Sequence, residues 1–413
     1  MGYTLSVKKK GRLVVVSALV LFALSVQLWP AWERVAGVKH ARDYATYHYA
    51  VQEALDGGDP YIKRSLSRRA RNEDTRKTVH PYFYPPPFLL LMLWTEPLTL
   101  VHGYKLFFWI NQGLLLGTLW CMRRWFAPSL VVLAFVFATL SPIADNAKMG
   151  QANLLVLLIV VVGLWKRSGG VLSVAAMAKM SPALYLAWWG AQRQWKPVLA
   201  AIIGAVLLSV ISLPLVDFSI QMRFYTEILP GFSSGQYHGL TVPITLPANH
   251  SIPDLYNQLW PGESKHVLSP LAQRAASLTS LSLLGGLAFL SRRVRDPLGQ
   301  ANIAGAFTAL LLITPVYTYE HHLVLMLLPT VALAAAVEAG RLPKRWWPLI
   351  GLSYFVVAWP LFWLRSAQEM LPEVHWWLQE SKFIGVVLIG LFCLAAAIRS
   401  PHSKSEMGVL QHP

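Results

Sequence analysis

Charged side chains are scarce in this 413-residue chain. Asp, Glu, Lys and Arg make up 14% of it, where a soluble domain carries about 25%. The shortage is sharpest for acids, 20 against 36 Lys and Arg, which leaves a net charge of +16. Only two cysteines occur, Cys121 and Cys393, too few for a disulfide framework and without metal-ligand spacing. Neither an internal repeat nor a low-complexity linker is present, so the chain reads as one domain, residues 1–413, and not as an inverted-repeat transporter. The basic excess does not point to nucleic acid. It falls in short clusters between apolar runs (Lys8 to Arg12, Arg123-Arg124, Lys166-Arg167, Arg193 to Lys196, Arg292 to Arg295, Arg341 to Arg345). That is the pattern of cytoplasmic loops and not of one binding face, and we expect no nucleic-acid partner.

What the chain has in abundance is apolar sequence, 55% of it. Apolar runs cover 13–30, 105–121, 129–143, 152–165, 197–216, 272–291, 299–317, 321–340, 347–364 and 382–398. Many approach the ~20 residues that cross a bilayer core. The fold class is therefore an all-α polytopic membrane protein of about ten to twelve transmembrane helices. The first run follows a basic stretch and has no Ala-x-Ala site, so it reads as an uncleaved span with its amino terminus inside.

Two segments are ambiguous. Residues 86–101 are interrupted by Thr95-Glu96-Pro97, and residues 171–190 carry Lys179 at their centre with Pro182 just after. A central lysine costs about 2.5–3.5 kcal/mol on insertion scales. If 86–101 lies along the outer face and 171–190 is a hairpin that enters and leaves from inside, every short basic cluster becomes cytoplasmic. That topology puts both termini and the tail 399–413 inside, and two hydrophilic loops, 31–85 and 217–270, outside.

The densest polar stretch, "RDYATYHYAVQEALDGGDPY" at 42–61, follows the first span. Asp43, among Tyr44, Tyr47 and Tyr49, has the chemistry of a general base toward a hydroxyl, or equally of a helix cap. Asp56 and Asp59 flank Gly57-Gly58 and read as turn residues. Lys179 at a hairpin tip would direct an ammonium into a membrane-level cavity, where a lipid phosphate is a natural partner, or would snorkel. In "EHH" at 320–322, adjacent histidines diverge on a helix, which weakens a metal reading; one of them could bond a phosphate or sugar oxygen. "GQAN" at 150–153 and "NHSIP" at 249–253 offer amides that suit a polyhydroxylated ligand or simply cap helices. Lys63, Arg64, Arg68, Arg69, Arg71, Arg76 and Lys77 could hold anionic head groups or form a mobile charged loop.

Taken in order, "DYATYHYAVQEALDGGDPY", "YPPPF" at 84–88, "GQANLL" at 150–155, "KMSP" at 179–182, "NHSIP" and "EHHLVLMLLP" at 320–329 resemble glycosyltransferase family 87 of the GT-C superfamily. The likeness extends over roughly residues 10–395. Its best-known members are polyprenol-phosphate-mannose-dependent α-(1→2) mannosyltransferases that elaborate phosphatidylinositol mannosides. The resemblance implies a multi-pass protein of the bacterial plasma membrane that moves a hexose, mannose first among them. The donor would be a polyprenyl-phosphate sugar and the acceptor a glycolipid or glycan, with inversion on the extracytoplasmic side. It implies Asp43 as base. Lys179, His322, His321 and Tyr84 are then the candidates for the donor phosphate, and Tyr47, Gln151, Asn153, Asn249 and His250 for sugar or acceptor. A lipid phosphate leaves without protonation, so a second carboxylic acid is not needed, unlike in a glycosidase. No compact ligand set occurs, and we expect no metal or other cofactor. The charged insertion at 62–80 is long for the family. The alternative is a transporter or flippase of a lipid-linked saccharide, holding a phosphate with the same Lys179.

Overall fold

The computed structural model describes residues 2–37, 41–235, 243–246, 248–360, 370 and 375–399. The tail at 400–413 and part of the 217–270 loop lie outside the described residues. Among the described residues the protein is entirely helical. Six helices begin on Thr99, Ser129, Ser168, Ser251, Ser269 and Asp296, each of whose side chains accepts a backbone N–H of the first turn. These caps satisfy first-turn amides that have no partner within the helix.

Among the described residues, four helices are long and apolar enough to cross a membrane: Gly11–Ala36, Pro270–Ser291, Glu320–Glu338 and Trp376–Ile398. A fifth crossing would join Leu130–Thr139 to Pro142–Met149, which meet at a 57° bend at the first-turn Pro142. The apolar run 105–121 lies in the 27-residue helix Leu100–Phe126, and four shorter apolar helices are Asn153–Lys166, Gly169–Ala178, Trp195–Ile211 and Pro297–Ile313. The all-α polytopic class expected from hydropathy is what the structure shows, with several apolar runs in helices shorter than a full span. Residues 86–101 begin with a five-residue helix, Phe88–Met92, and a three-residue turn, Leu93–Thr95, which together rise only about 12 Å and do not cross.

Helix Pro297–Ile313 is the buried axis of the bundle, with every residue from 299 to 313 buried. Its small side chains admit close neighbours. Gly305 lies against Pro329 and Cys393, and Gly390 against Ala309, the small-residue packing that holds helices together where lipid is the solvent. Outward, helix Trp195–Ile211 exposes Leu199, Ile202, Ile203, Val206, Leu207 and Val210, a lipid-facing surface.

Residues 171–190 form a hairpin. Gly169 packs on Pro197 and Ala201, and Gly204 on Ser173 and Gly170, so helices Gly169–Ala178 and Trp195–Ile211 run parallel from a common end. The chain between them must therefore return, which it does through a turn at Ser181–Leu184 and helix Tyr185–Ala191. Lys179 sits at the far tip. Around the common end, Gln192 donates to the carbonyls of Ser291 and Val294 at 3.1 and 3.0 Å, Arg341 pairs with Asp296, and Ser129 bonds Glu338 at 2.6 Å. The basic clusters at 123–124, 166–167, 193–196, 292–295 and 341–345 thus gather at one end of the bundle.

Candidate active site

Asp43 occupies the first turn of helix Arg42–Leu55, one turn below Tyr47 on the same face. Between them the buried Tyr44 locks the helix in place. Its hydroxyl fills the space a side chain would take on Gly103, and its Cβ abuts Gly150. Gly150 itself has φ +68°, the left-handed conformation that ends helix Pro142–Met149 and that side chains disfavour. The glycine of "GQAN" is therefore required twice, for the turn and for Tyr44.

That turn presents Gln151. Its Oε1 accepts from the hydroxyls of Tyr47 at 2.9 Å and Tyr84 at 3.1 Å, and the two phenols are 2.7 Å apart. With its oxygen held there, Gln151 has its amide N–H to offer Asp43. Asp43 is half-buried, and its Oδ2 has no protein partner. Burial pushes its carboxyl up from 3.8 to about 6, against the opposing pull of Gln151 and then of Lys179, Arg42 and Arg76. A carboxylate raised this far is a better base at neutral pH than an ordinary aspartate.

At the hairpin tip, Lys179 Nζ donates to Asn153 Oδ1 at 2.7 Å, and Asn153 Nδ2 donates to the carbonyl of His321 at 2.9 Å. The "KMSP", "GQAN" and "EHH" segments are joined by these two bonds. Residues Glu320–Met326 form a tight turn in which His322 Nδ1 accepts the backbone N–H of Tyr319 at 3.2 Å. That bond assigns the proton of the neutral ring to Nε2, a donor suited to a phosphate or sugar oxygen. His321 and His322 are packed edge to face with centroids 4.3 Å apart, and both lie within electrostatic reach of Lys179. Asp43, Tyr47, Tyr84, Gln151, Lys179, Asn153, His321 and His322 thus converge.

Asn249 and His250 are bonded elsewhere, although His250 also lies within electrostatic reach of His322. The buried Asn249 amide donates to the carbonyls of Ile244 and Val316, both at 2.9 Å, and accepts from Thr318 N–H at 2.8 Å. Its hydrogen-bonding capacity is used on backbone, which leaves nothing to offer a sugar. His250 Nε2 meets Glu320 Oε1 at 2.9 Å, deep inside the protein. "NHSIP" is a clamp that holds the backbone leading into "EHH".

The clamp ends on a residue that sequence reasoning missed. Lys382, wholly buried, donates to Glu320 Oε2 at 2.7 Å and to the carbonyl of Trp359 at 2.5 Å. The only sequence signal was a lysine opening the last apolar run. Breaking a buried pair by removing one partner costs about 3–5 kcal/mol. Lys382→Met is therefore expected to lower the thermal midpoint in detergent markedly, and Lys382→Met with Glu320→Gln to recover part of the loss. An unchanged midpoint in the single variant would show that the pair does not support the turn.

The loop cluster also folds differently from a mobile charged loop. Residues Lys63–Asn72 are helical, Arg69 pairs with Glu53 and with Asp56 (2.7 Å), and Asp59 pairs with Arg223. Asp56 and Asp59 thus anchor the loop besides shaping the turn. Among the described residues no group of three or more His, Cys, Asp or Glu is placed to hold a metal ion.

The bundle and this polar centre at a hairpin tip define a helical membrane protein with an enzyme-like site. Residues 82–315, more than half of the chain, match glycosyltransferase family 87. The chain belongs to that family and is a membrane glycosyltransferase. The matched span contains "YPPPF", "GQANLL", "KMSP" and "NHSIP", while Asp43 and "EHH" lie outside it and are tied to it by the contacts above. No curated protein matches the chain.

Proposed function

We propose that the protein transfers a hexose, mannose first among candidates, from a polyprenyl-phosphate sugar to a hydroxyl of a glycolipid or glycan acceptor, with inversion. The observation that carries this reading is a half-buried carboxylate of raised pKa, with one oxygen unpartnered, beside the lysine of a re-entrant hairpin. Asp43 takes the proton of the acceptor hydroxyl as that oxygen attacks the anomeric carbon. The carbon–oxygen bond to phosphate breaks, and the polyprenyl phosphate leaves with the electron pair. Charge grows on the phosphate as it leaves, and Lys179 and His322 Nε2–H are the donors suited to meet it, with His321 and Tyr84 beside them. Tyr47, Gln151 and Asn153 orient the sugar or acceptor. No step in this scheme calls for a metal.

The gathering of basic clusters at one end supports a cytoplasmic assignment of that end and of both termini. Lys179 points to the other, extracytoplasmic half, in the plasma membrane of a bacterium. The test uses purified protein in proteoliposomes with a radiolabelled polyprenyl-phosphate mannose and a membrane extract as acceptor source. A new glycosidic product that survives the mild acid which cleaves the glycosyl phosphate of the donor is expected. Movement of the labelled lipid between leaflets with no new glycosidic bond would overturn the reading in favour of a flippase.

A further inference from the structure

A buried carboxyl pair lies outside the chemistry described above. Helix Ile252–Leu259 begins on Ser251, whose hydroxyl accepts the N–H of Asp254 at 3.1 Å. Asp254 is wholly buried, and neither of its carboxylate oxygens has a hydrogen-bond partner. One turn on, Asn257 donates to Thr245 Oγ1 at 2.8 Å and leaves its own Oδ1 buried and unpartnered. From the last span, Glu380 accepts Gln258 Nε2–H at 2.7 Å on Oε1, while its buried Oε2 has no partner. Trp376 of the same span fixes Gln258 by donating to its Oε1 at 3.0 Å. Four acceptor oxygens are thus shut away from water, and none receives a hydrogen bond among the described residues. A buried acceptor left so is destabilising, and a buried carboxylate more so. The set lacks the three or more His, Cys, Asp or Glu side chains of a metal centre. The donor it fits is a proton, which turns one carboxylate into an O–H group.

The surroundings favour the neutral acid. Burial first, and then the charge of Glu380, push the Asp254 carboxyl up from 3.8 to about 8. Thr245 and Gln258, near but without hydrogen-bond geometry, draw it down. The nearby basic groups are engaged elsewhere. His250 Nε2 meets Glu320, and Lys382 donates to Glu320 and to the carbonyls of Val357 and Trp359. Helix Pro270–Ser291 packs on the same short helix through Tyr256 and Thr279 at 2.8 Å, and its one charged residue, Arg274, is exposed. From the "EHH" turn, Tyr319 lies within electrostatic reach of Asp254. His250, four positions before Asp254, lies within reach of both Glu380 and His322. Two ionised carboxylates here would repel each other directly behind the clamp that seats that turn.

We infer that Asp254 is held as the neutral acid in the folded protein, its O–H directed at Glu380 Oε2, and that this one proton seats the "NHSIP" clamp and, through it, His322. Asp254 and Glu380 are then positioning residues that touch neither donor nor acceptor. The proton stands on the geometry of the pair, while its effect on rate rests on the transferase reading proposed above.

Infrared titration of the purified protein in detergent tests the proton. The carbonyl stretch of a protonated carboxylic acid is expected at pH 7 and should weaken about tenfold by pH 9, as for a group of pKa about 8. Asp254→Asn should remove the band, and Glu380→Gln, which takes away a like charge, should move its titration to lower pH. A wild type without the band at pH 7, or a band that Asp254→Asn leaves in place, overturns the inference. If Asp254→Asn does not fold, an unmoved titration in Glu380→Gln overturns it instead. The rate of transfer tests the positioning. Between pH 7 and 9 wild type should lose about tenfold more in kcat than Asp254→Asn, whose amide keeps a donor toward Glu380 and cannot ionise, with donor KM unmoved in both. Equal alkaline losses overturn the positioning role. A band that titrates as expected in a protein that transfers no sugar sustains the proton and counts against the transferase reading alone.

Discussion

Asp43→Asn is expected to cut the rate of sugar transfer by about a thousandfold, within the 10²–10⁴ that a general base contributes, without destabilising the protein. The substitution keeps shape and removes the proton acceptor. The stability argument runs through the raised carboxyl. Its pKa of about 6 in the folded protein, against 3.8 ordinarily, is due first to burial. A group whose folded pKa is raised holds its proton more tightly when folded. Its contribution to stability is whole below about pH 4 and is lost as the pH climbs through 6, for a difference of roughly 3 kcal/mol at most. An amide does not ionise, so the variant escapes that loss. Melting in detergent should therefore fall between pH 4 and 7 less for Asp43→Asn than for wild type. The wild-type rate should rise with pH through a limb near 6. Undiminished turnover in the variant would remove Asp43 as the base, and a flat acidic limb would do so independently.

How far the sequence disclosed this site depends on what each residue bonds. Asp43, Lys179 and "GQAN" were legible because polar groups in or beside apolar runs need a reason to be there, and the hairpin followed from Lys179, Pro182 and the placement of basic clusters. The helical membrane class followed from the apolar runs themselves. Asn249 and His250 suit either a sugar or a helix cap in the sequence, since an amide near an interface gives no sign of which carbonyls will face it. Those carbonyls, Ile244 and Val316, meet Asn249 only in the folded chain. Lys382 was invisible for the same reason, its partner Glu320 lying 62 positions away. The charge run at 62–80 was ambiguous because Arg69 finds Glu53 and Asp56 only when helix Lys63–Asn72 folds back on helix Arg42–Leu55.

Lys179→Met is expected to lower kcat by about 10²–10³, the cost of removing one preorganised donor from a developing oxyanion, while leaving the protein folded. Two reasons make this a sharper test of the phosphate site than any loop substitution. First, the lysine stands at the tip of a hairpin built around it: Gly169 and Gly204 allow the tight packing that returns the chain to its own end. Second, an ammonium at membrane depth is costly, so a lysine kept there for structure alone should be improved on by methionine. Against that stands Asn153 Oδ1, which would lose its 2.7 Å donor at a cost of about 1–3 kcal/mol. The two effects oppose, and the melting temperature should change little. Arginine should rescue poorly, because its planar fork is bulkier than the point charge this turn encloses. The informative result is the division between rate and stability. A variant that transfers sugar normally but melts early would make Lys179 a strut for Asn153 and His321. One that melts normally but has lost turnover with polyprenyl-phosphate sugar would leave the ammonium with one remaining task, meeting the charge of the departing phosphate.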